Sequence, residues 1–395
     1  MNHNVFIKRL PLALAILALA WAGCEYDTPA SVWNPGADLG TFPEITGVSP
    51  DGRAAAGVHS ITINGQGFAP DASKNTVFVG TARAEVTAAS ASSITILRPN
   101  ITGEGLAVKV LVEGAYGIGQ LPGYAVDAVS RMYGNKNVTG FIQFMAVDGA
   151  ENIYVLTTTK SVTKIDATET GSAFGANKSK KKNAGIVAGP DGAVYLNESG
   201  GTALNRIPPE GGDSVKLADF PASPKWFDFD ANGAAVGVGD KSGIQIILSD
   251  LTNRSIAEFN DLTAVYVHCY NGSVYVADAT SVWKSTISAD YSSATPKEKV
   301  FDIADVAGYA DSKILSFVMD QDGNLIVCTN KAVDPMFQIL ADGTPAPFYK
   351  GILPESCGGQ LVYGGGRYIY LNMQQLPAAD RDILRIDAGR NEAGK

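Results

Sequence analysis

The sequence predicts an all-β protein: a small β-sandwich followed by a six-bladed β-propeller. Three observations carry this. Residues 43–126 form a series of short alternating strands punctuated by Gly, Pro and Asn turns. Beyond them a strand–turn–strand unit recurs six times with a period near 40 residues. Charged residues are only 18% of the chain, while glycines number 43, a balance that suits buried strands joined by tight turns.

The chain opens with a targeting segment over residues 1–23. Lys8 and Arg9 supply a basic start, and Leu10 to Ala22 is an apolar run interrupted by Pro11. That run falls short of the roughly 20 apolar residues a membrane-spanning helix needs. Ala22 and Gly23 directly precede Cys24, in a pattern that resembles a bacterial lipobox, although Trp21 stands where leucine is usual. The resemblance implies that Cys24 is lipidated and becomes the new N-terminus, with several acyl chains giving stable anchoring. The alternative is an ordinary secretory signal. Residues 24–42, rich in Pro, Gly and Asp and without a period, read as a tether.

Removing the first 23 residues leaves 372 residues with 29 basic and 40 acidic side chains, a formal charge of −11. Such an acidic chain argues against nucleic acid or an anionic membrane surface as its partner. The membrane is expected to be reached through the lipid anchor alone. Cys269, Cys328 and Cys357 show no metal-ligand spacing, and an odd count leaves at least one thiol unpaired. Cys269 and Cys328 sit in apolar strands, where a small buried hydrophobe is the default.

Residues 43–126 hold the sandwich. "EITGVSP" is a strand stopped by Pro50, "HSITING" alternates with Ile61 and Ile63 on one face, and "GQGF" returns Phe68 to the core. "NTVFVG", "AEVTAAS", "SSITILRP" and "LAVKVLVEG" follow as further strands. The order of Pro43, Ile45, Val48, Pro50, Gly57, Ile61, Ile63, Gly65, Phe68, Val77, Val79 and Gly80 resembles the IPT/TIG immunoglobulin-like domain. That resemblance implies a fold and no activity.

Residues 127–395 hold the propeller. Its repeat copies are "MAVDGAENIYVLT", "IVAGPDGAVYLNE", "WFDFDANGAAVGVG", "VYVHCYNGSVYVAD", "FVMDQDGNLIVCT" and "LVYGGGRYIYLNM". Their turn glycines, Gly149, Gly192, Gly233, Gly272, Gly323 and Gly365, lie 43, 41, 39, 51 and 42 residues apart. A third strand follows each copy, and "VKLADF", "RSIAEF", "KVFDIA" and "APFYKG" supply a fourth in most. After Asp387 the tail is too polar for a good outer strand. Because an open sheet edge invites association, the segment at 125–135 is expected to complete blade six and tie the ring shut. The spacing and strand patterns resemble NHL-type propellers.

Candidate chemistry is sparse. His59 and His268 are the histidines beyond the leader, one in each domain, and no HExxH, CxxC or GxSxG motif occurs. His268, in "YVHCYNG", reads as a core or channel histidine rather than a base. "DGTP" and "DGAEN" are hairpin turns rather than calcium loops. No catalytic set, metal site or cofactor site is assigned. The expected binding surface is the propeller face that carries the loops between second and third strands and the connections between blades. On it lie Asn197, Asp278 and the lysine run Lys178, Lys180, Lys181 and Lys182, with Trp226 and Tyr309 as the nearest aromatics. Aromatic rings stack on sugar C–H faces, amides and carboxylates bind hydroxyls, and the lysines attract acidic glycans. Each has a bland alternative: core packing for Trp226, and for Trp283 in its strand, and a solvated loop for the lysines.

Anchor, tether, sandwich and propeller in this order resemble surface lipoproteins of Bacteroidota found beside outer-membrane glycan importers. The resemblance implies a non-catalytic glycan-binding protein at the cell surface, accessory to uptake. An envelope protein-interaction scaffold and a propeller lyase or hydrolase are the alternatives.

Overall fold

The computed structural model describes residues 41–133, 138 and 140–393. The leader, Cys24 and nearly all of the tether lie outside the described residues. Among the described residues no helix is long and apolar enough to cross a membrane.

Two sheets form the sandwich. One orders Glu44–Ser49, Ser60–Gln66, Ser93–Leu97 and Val86–Ala89; the other orders Arg53–Ala54, Ile118–Val126, Gly103–Val112, Asn75–Val79 and Ala82–Ala84. Strict alternation places Ile61, Ile63, Val77, Val79, Ile94, Ile96, Val108 and Val110 in one fully buried core between them.

Six sheets follow, one per repeat, each with four antiparallel strands and the first with a short fifth strand in parallel. Their inner strands are Ile142–Val147, Asn183–Ala188, Trp226–Phe229, Tyr266–Tyr270, Ile314–Met319 and Gln360–Tyr363. The expected fourth strands of blades two to five are present at Val215–Asp219, Asn253–Ile256, Glu298–Asp302 and Pro345–Pro347. Blade one has its own at Gly171–Ala176, extended by Gly212–Asp213.

Blade six closes as expected. Strand Ser130–Met132, arriving from the sandwich, pairs antiparallel with Ile383–Asp387 as the outermost strand. Tyr133 N–H continues the ladder to Ile383 O at 2.8 Å, and Arg131 pairs with Glu169 of blade one.

The repeat turns are built on their aspartates. Asp148 accepts the amides of Ala150 and Asn152, Asp230 those of Asn232 and Ala234, and Asp320 those of Asp322 and Asn324. A side chain that hydrogen-bonds the backbone ahead of it closes a turn without any ion. The two-residue turn of blade four uses Asn271 at φ 47° and Gly272 at φ 70°, as a tight hairpin requires. Gly365 acts differently: a Cβ there would collide with the Gly149 carbonyl, so the turns of blades six and one touch backbone to backbone.

The sandwich is locked to the rim beside blades five and six. His59 stacks on Tyr349 at 4.4 Å, and the Tyr349 hydroxyl accepts from Gly57 N at 2.6 Å and donates to Asp387 O at 2.7 Å. Lys350 pairs with Glu85 at 2.8 Å. Arg98 gathers the carbonyls of Ala54, Ala55 and Asp127.

Burial lowers the His59 pKa to about 4; its contact with the Gly57 carbonyl opposes this, and Arg390 and Arg98 add to the lowering. In the unfolded chain the ring protonates near 6.5. Between those values the unfolded state holds the extra proton, so stability falls as pH falls from 6.5 towards 4, by up to about 3 kcal/mol. Thermal melts across this range should show the loss, and His59→Phe, which stacks but does not titrate, should flatten it.

Cys269, Cys328 and Cys357 are buried, and none is in a disulfide. Burial raises Cys328 to about 12 and Cys357 to about 11. A buried thiol held protonated is a poor nucleophile. A thiol reagent should therefore leave the native domains unmodified and titrate three groups only after denaturation; rapid native labelling would contradict this packing.

Candidate functional site: the channel mouth

The inner strands of the blades surround the channel and supply the side chains of its wall. In blade three these are Trp226 and Asp228, and in blade four Tyr266 and His268. They line a cavity of about 240 Å³ that opens at the mouth carrying the first-to-second-strand turns. Met145 and Val147 of blade one, Val318 of blade five, and Gln360 and Val362 of blade six line it as well.

Its base is aromatic. Trp226 and Tyr266 stack at 5.1 Å and 27°, and Phe317 meets Tyr266 edge-on at 5.6 Å. The Tyr266 hydroxyl reaches from blade four to donate to Leu361 O of blade six at 3.0 Å. Burial raises its pKa, and Asp228 and Glu392 add to the rise, so the phenol stays a neutral donor. Gln360 seals blade six to blade one, donating to Met145 O at 2.7 Å and accepting from Met145 N at 2.9 Å.

The polar core of the wall is a carboxylate–imidazole pair. Asp228 Oδ2 lies 3.0 Å from His268 Nδ1, and both side chains are 9% exposed. Asp228 also accepts from Phe229 N at 2.8 Å and Cys269 N at 3.0 Å. Asp228 holds the ring through Nδ1 and so fixes its orientation in the wall. Nε2 is buried and has no hydrogen-bond partner.

The rim carries Asp148, Asp230 and, from the C-terminal tail, Glu392. That tail is the polar segment that supplies no outer strand. It bridges to blade five instead, with Glu392 opposite Asp320, Ala393 N donating to Met319 O at 3.1 Å, and Arg390 held by Asp320 and Asp322 at 3.1 and 3.2 Å. Among the described residues no cluster of side chains could hold a metal ion.

The structure does not gather the sequence-predicted residues into one loop-face site. Trp226 is 6% exposed and faces the channel. Tyr309 is packed on Phe337 with the Lys331 ammonium 4.3 Å from its ring, and its hydroxyl donates to Asp334 O and Met336 O. Neither ring is a platform on the loop face, because each completes an inter-strand core. Asn197 is fully buried and donates to Pro224 O at 3.1 Å, latching blade two to blade three as Asn372 latches blade six to blade one. It abuts the same Gly185 as Trp226. Asp278 closes its own turn, accepting from Thr280 N, Ser281 N and Trp283 Nε1. Lys180, Lys181 and Lys182 are exposed, Lys181 donating to Gly200 O at 2.9 Å. An aromatic that the loop face does present is Phe141, 47% exposed.

The residues that sequence reasoning passed over are Asp228 and Glu392. A signal for the first existed: "WFDF" and "YVHC" put a polar residue third in two successive inner strands, two places after an aromatic.

Fold and cavity together define an all-β protein in which an immunoglobulin-like sandwich precedes a closed six-bladed propeller. Residues 43–125 match the IPT/TIG domain family. No curated protein matches the chain. Among solved structures it is similar to an auxiliary nutrient binding protein from Bacteroides thetaiotaomicron, at 12% identity and a TM-score of 0.51, over 88% of this chain and 98% of that one. A second auxiliary nutrient binding protein, from Bacteroides ovatus, aligns at 11% identity and a TM-score of 0.48 over 90% and 99% of the two chains. A luciferin-regenerating enzyme aligns at 13% identity and a TM-score of 0.53, over 67% of this chain and 98% of that one. At such identities the likeness is one of fold.

Proposed function

We propose that this chain is a lipid-anchored protein of the outer membrane, exposed at the cell surface, that binds glycan without catalysis and serves nutrient uptake. Cys24 is the anchor and residues 24–42 the tether in this reading, with an NHL-type propeller as the binding domain and the sandwich as its spacer. The carrying observation is the channel-mouth cavity, with its aromatic base and polar walls. Its volume suits one sugar ring, the end of a chain rather than its middle. The fold shared with an auxiliary nutrient binding protein supports a role in capture.

The Asp228–His268 pair favours one second reading, catalysis on the propeller. Against it, the Asp148 and Asp230 carboxylates are engaged by their own turns, leaving few groups to act as a partner acid.

Affinity electrophoresis of the chain from residue 43 against a polysaccharide panel, with a reducing-end assay on every hit, tests the proposal. Retardation without new reducing ends, weakened in Trp226→Phe, is the expected result. New reducing ends would establish catalysis instead. No retardation by any glycan would move the function to an envelope protein partner.

A further inference from the structure

We propose that the sandwich pole farthest from the propeller sits on the headgroup region of the bilayer beside the lipid anchor; this rests on the lipid-anchored reading above. Strand direction defines that pole. Ile118–Val126 runs its nine residues, roughly 26 Å of strand, from the pole to Asp127 at the propeller junction. Ser60–Gln66 runs the opposite way, from His59 at the junction to Gln66, which pairs with Glu44. The described chain begins at this pole, with Thr41.

The pole is apolar where the chain enters it. Phe42, Tyr116 and Ile118 are 53%, 73% and 49% exposed, whereas the other large apolar side chains exposed among the described residues lie one to a blade. The Phe42 ring lies against Gly117, between Tyr116 and Ile118 in the chain, and a Cβ there would collide with it. The three side chains therefore form one patch. Phe42 is no loose end, since its carbonyl packs on Gly67 and that of Pro43 on Gly119. Single exposed apolar residues are normal on a surface, but a contiguous set at one tip marks a contact.

An apolar patch alone does not name its occupant; here the chain that leads to it does. Residues 24–40 run from Cys24 to this pole, and 17 residues extend at most about 60 Å. An anchor at Cys24 keeps the pole within reach of the membrane surface, and such tethering gives a weak contact a high effective concentration. Tyrosine and other amphipathic rings favour the headgroup level, where an apolar body meets water. Glu44, Asp71 and Glu113 outnumber Lys74 among the exposed charges of this pole, so the contact fits a zwitterionic surface and opposes an anionic one. Seated in this way, the sandwich stands the propeller off the bilayer instead of letting it swing on the tether.

Lipid-borne quenching of the full chain tests this. The acylated protein is placed in phosphatidylcholine vesicles that carry a headgroup nitroxide. Glu113→Cys carries a fluorophore at the pole and Lys181→Cys one on the loop face; both positions are exposed, and Cys269, Cys328 and Cys357 are buried. The label at 113 is expected to be quenched at least about threefold more than the label at 181. Replacing Phe42, Tyr116 and Ile118 together by serine should abolish that difference at unchanged melting temperature, because all three side chains are exposed. Adding phosphatidylglycerol should reduce it.

Equal quenching at the two sites, or pole quenching that survives the triple serine change, would overturn the membrane contact and leave the anchor standing. So would self-association of the parent that the triple change abolishes, with no quenching at the pole; the patch would then join two copies of this chain. A full chain that leaves the membrane fraction whether or not Cys24 is replaced by alanine would end the anchor reading and this inference together.

Discussion

Replacing Asp228 with alanine is expected to destabilise the protein by about 3 kcal/mol, more than most single changes. The carboxylate accepts two buried amides, Phe229 N and Cys269 N, and holds His268 Nδ1. Alanine leaves two amides and the imidazole nitrogen without their partner, at about 1–3 kcal/mol each. Part of that is returned, because a buried charge no longer has to be desolvated. At roughly 2–4 °C per kcal/mol, the melting temperature should drop by roughly 6–12 °C.

Asp228→Asn keeps part of this network. Its carbonyl oxygen keeps the Phe229 amide, while its amide group faces the Cys269 N–H and the imidazole. The asparagine variant should therefore fold better than the alanine variant and less well than the parent. Urea titration of all three checks the order. An alanine variant within about 0.5 kcal/mol of the parent would mean that the pair is not the structural hub its contacts describe.

The ring was legible because its turns repeat. Asp–Gly and Asn–Gly pairs at a near-constant interval mark hairpins whatever the strands between them contain. The closing strand was legible from a deficit, since a tail of "AGRNEAGK" cannot form an apolar outer edge. The cavity was not legible for a reason of the same kind. Inner strands are buried on both faces, so "WFDF" is buried at all four positions and its alternation carries no contrast between core and channel. Only the packed ring shows that Trp226 and Asp228 line the channel while Phe227 packs on Phe220. Reading Trp226 and Tyr309 as loop-face aromatics placed them by sequence position near a loop, whereas strand pleat decides where a side chain points. Blade one's outer strand, "GSAFGA", escaped notice because small residues carry no β signature.

Deleting the closing strand should cost more than any point change. A chain that starts at Ala128 loses the sandwich and keeps Ser130–Met132; one that starts at Val138 loses both. The comparison isolates one short strand. Without it the Ile383–Asp387 edge is left unpaired, Val129 and Tyr133 are stripped from the cores they fill, and blade one loses the Arg131–Glu169 link. Removing two large buried side chains alone costs about 5 kcal/mol or more, or a fall of roughly 10 °C or more in melting temperature. The exposed edge adds a tendency to associate. The longer chain should melt cooperatively as a monomer; the shorter should melt far lower or aggregate on expression. Equal melting of the two would mean that the ring holds without its fourth strand in blade six. The sandwich would then be a passenger on the propeller, and the 125–135 segment a linker rather than the element that makes two domains one folding unit.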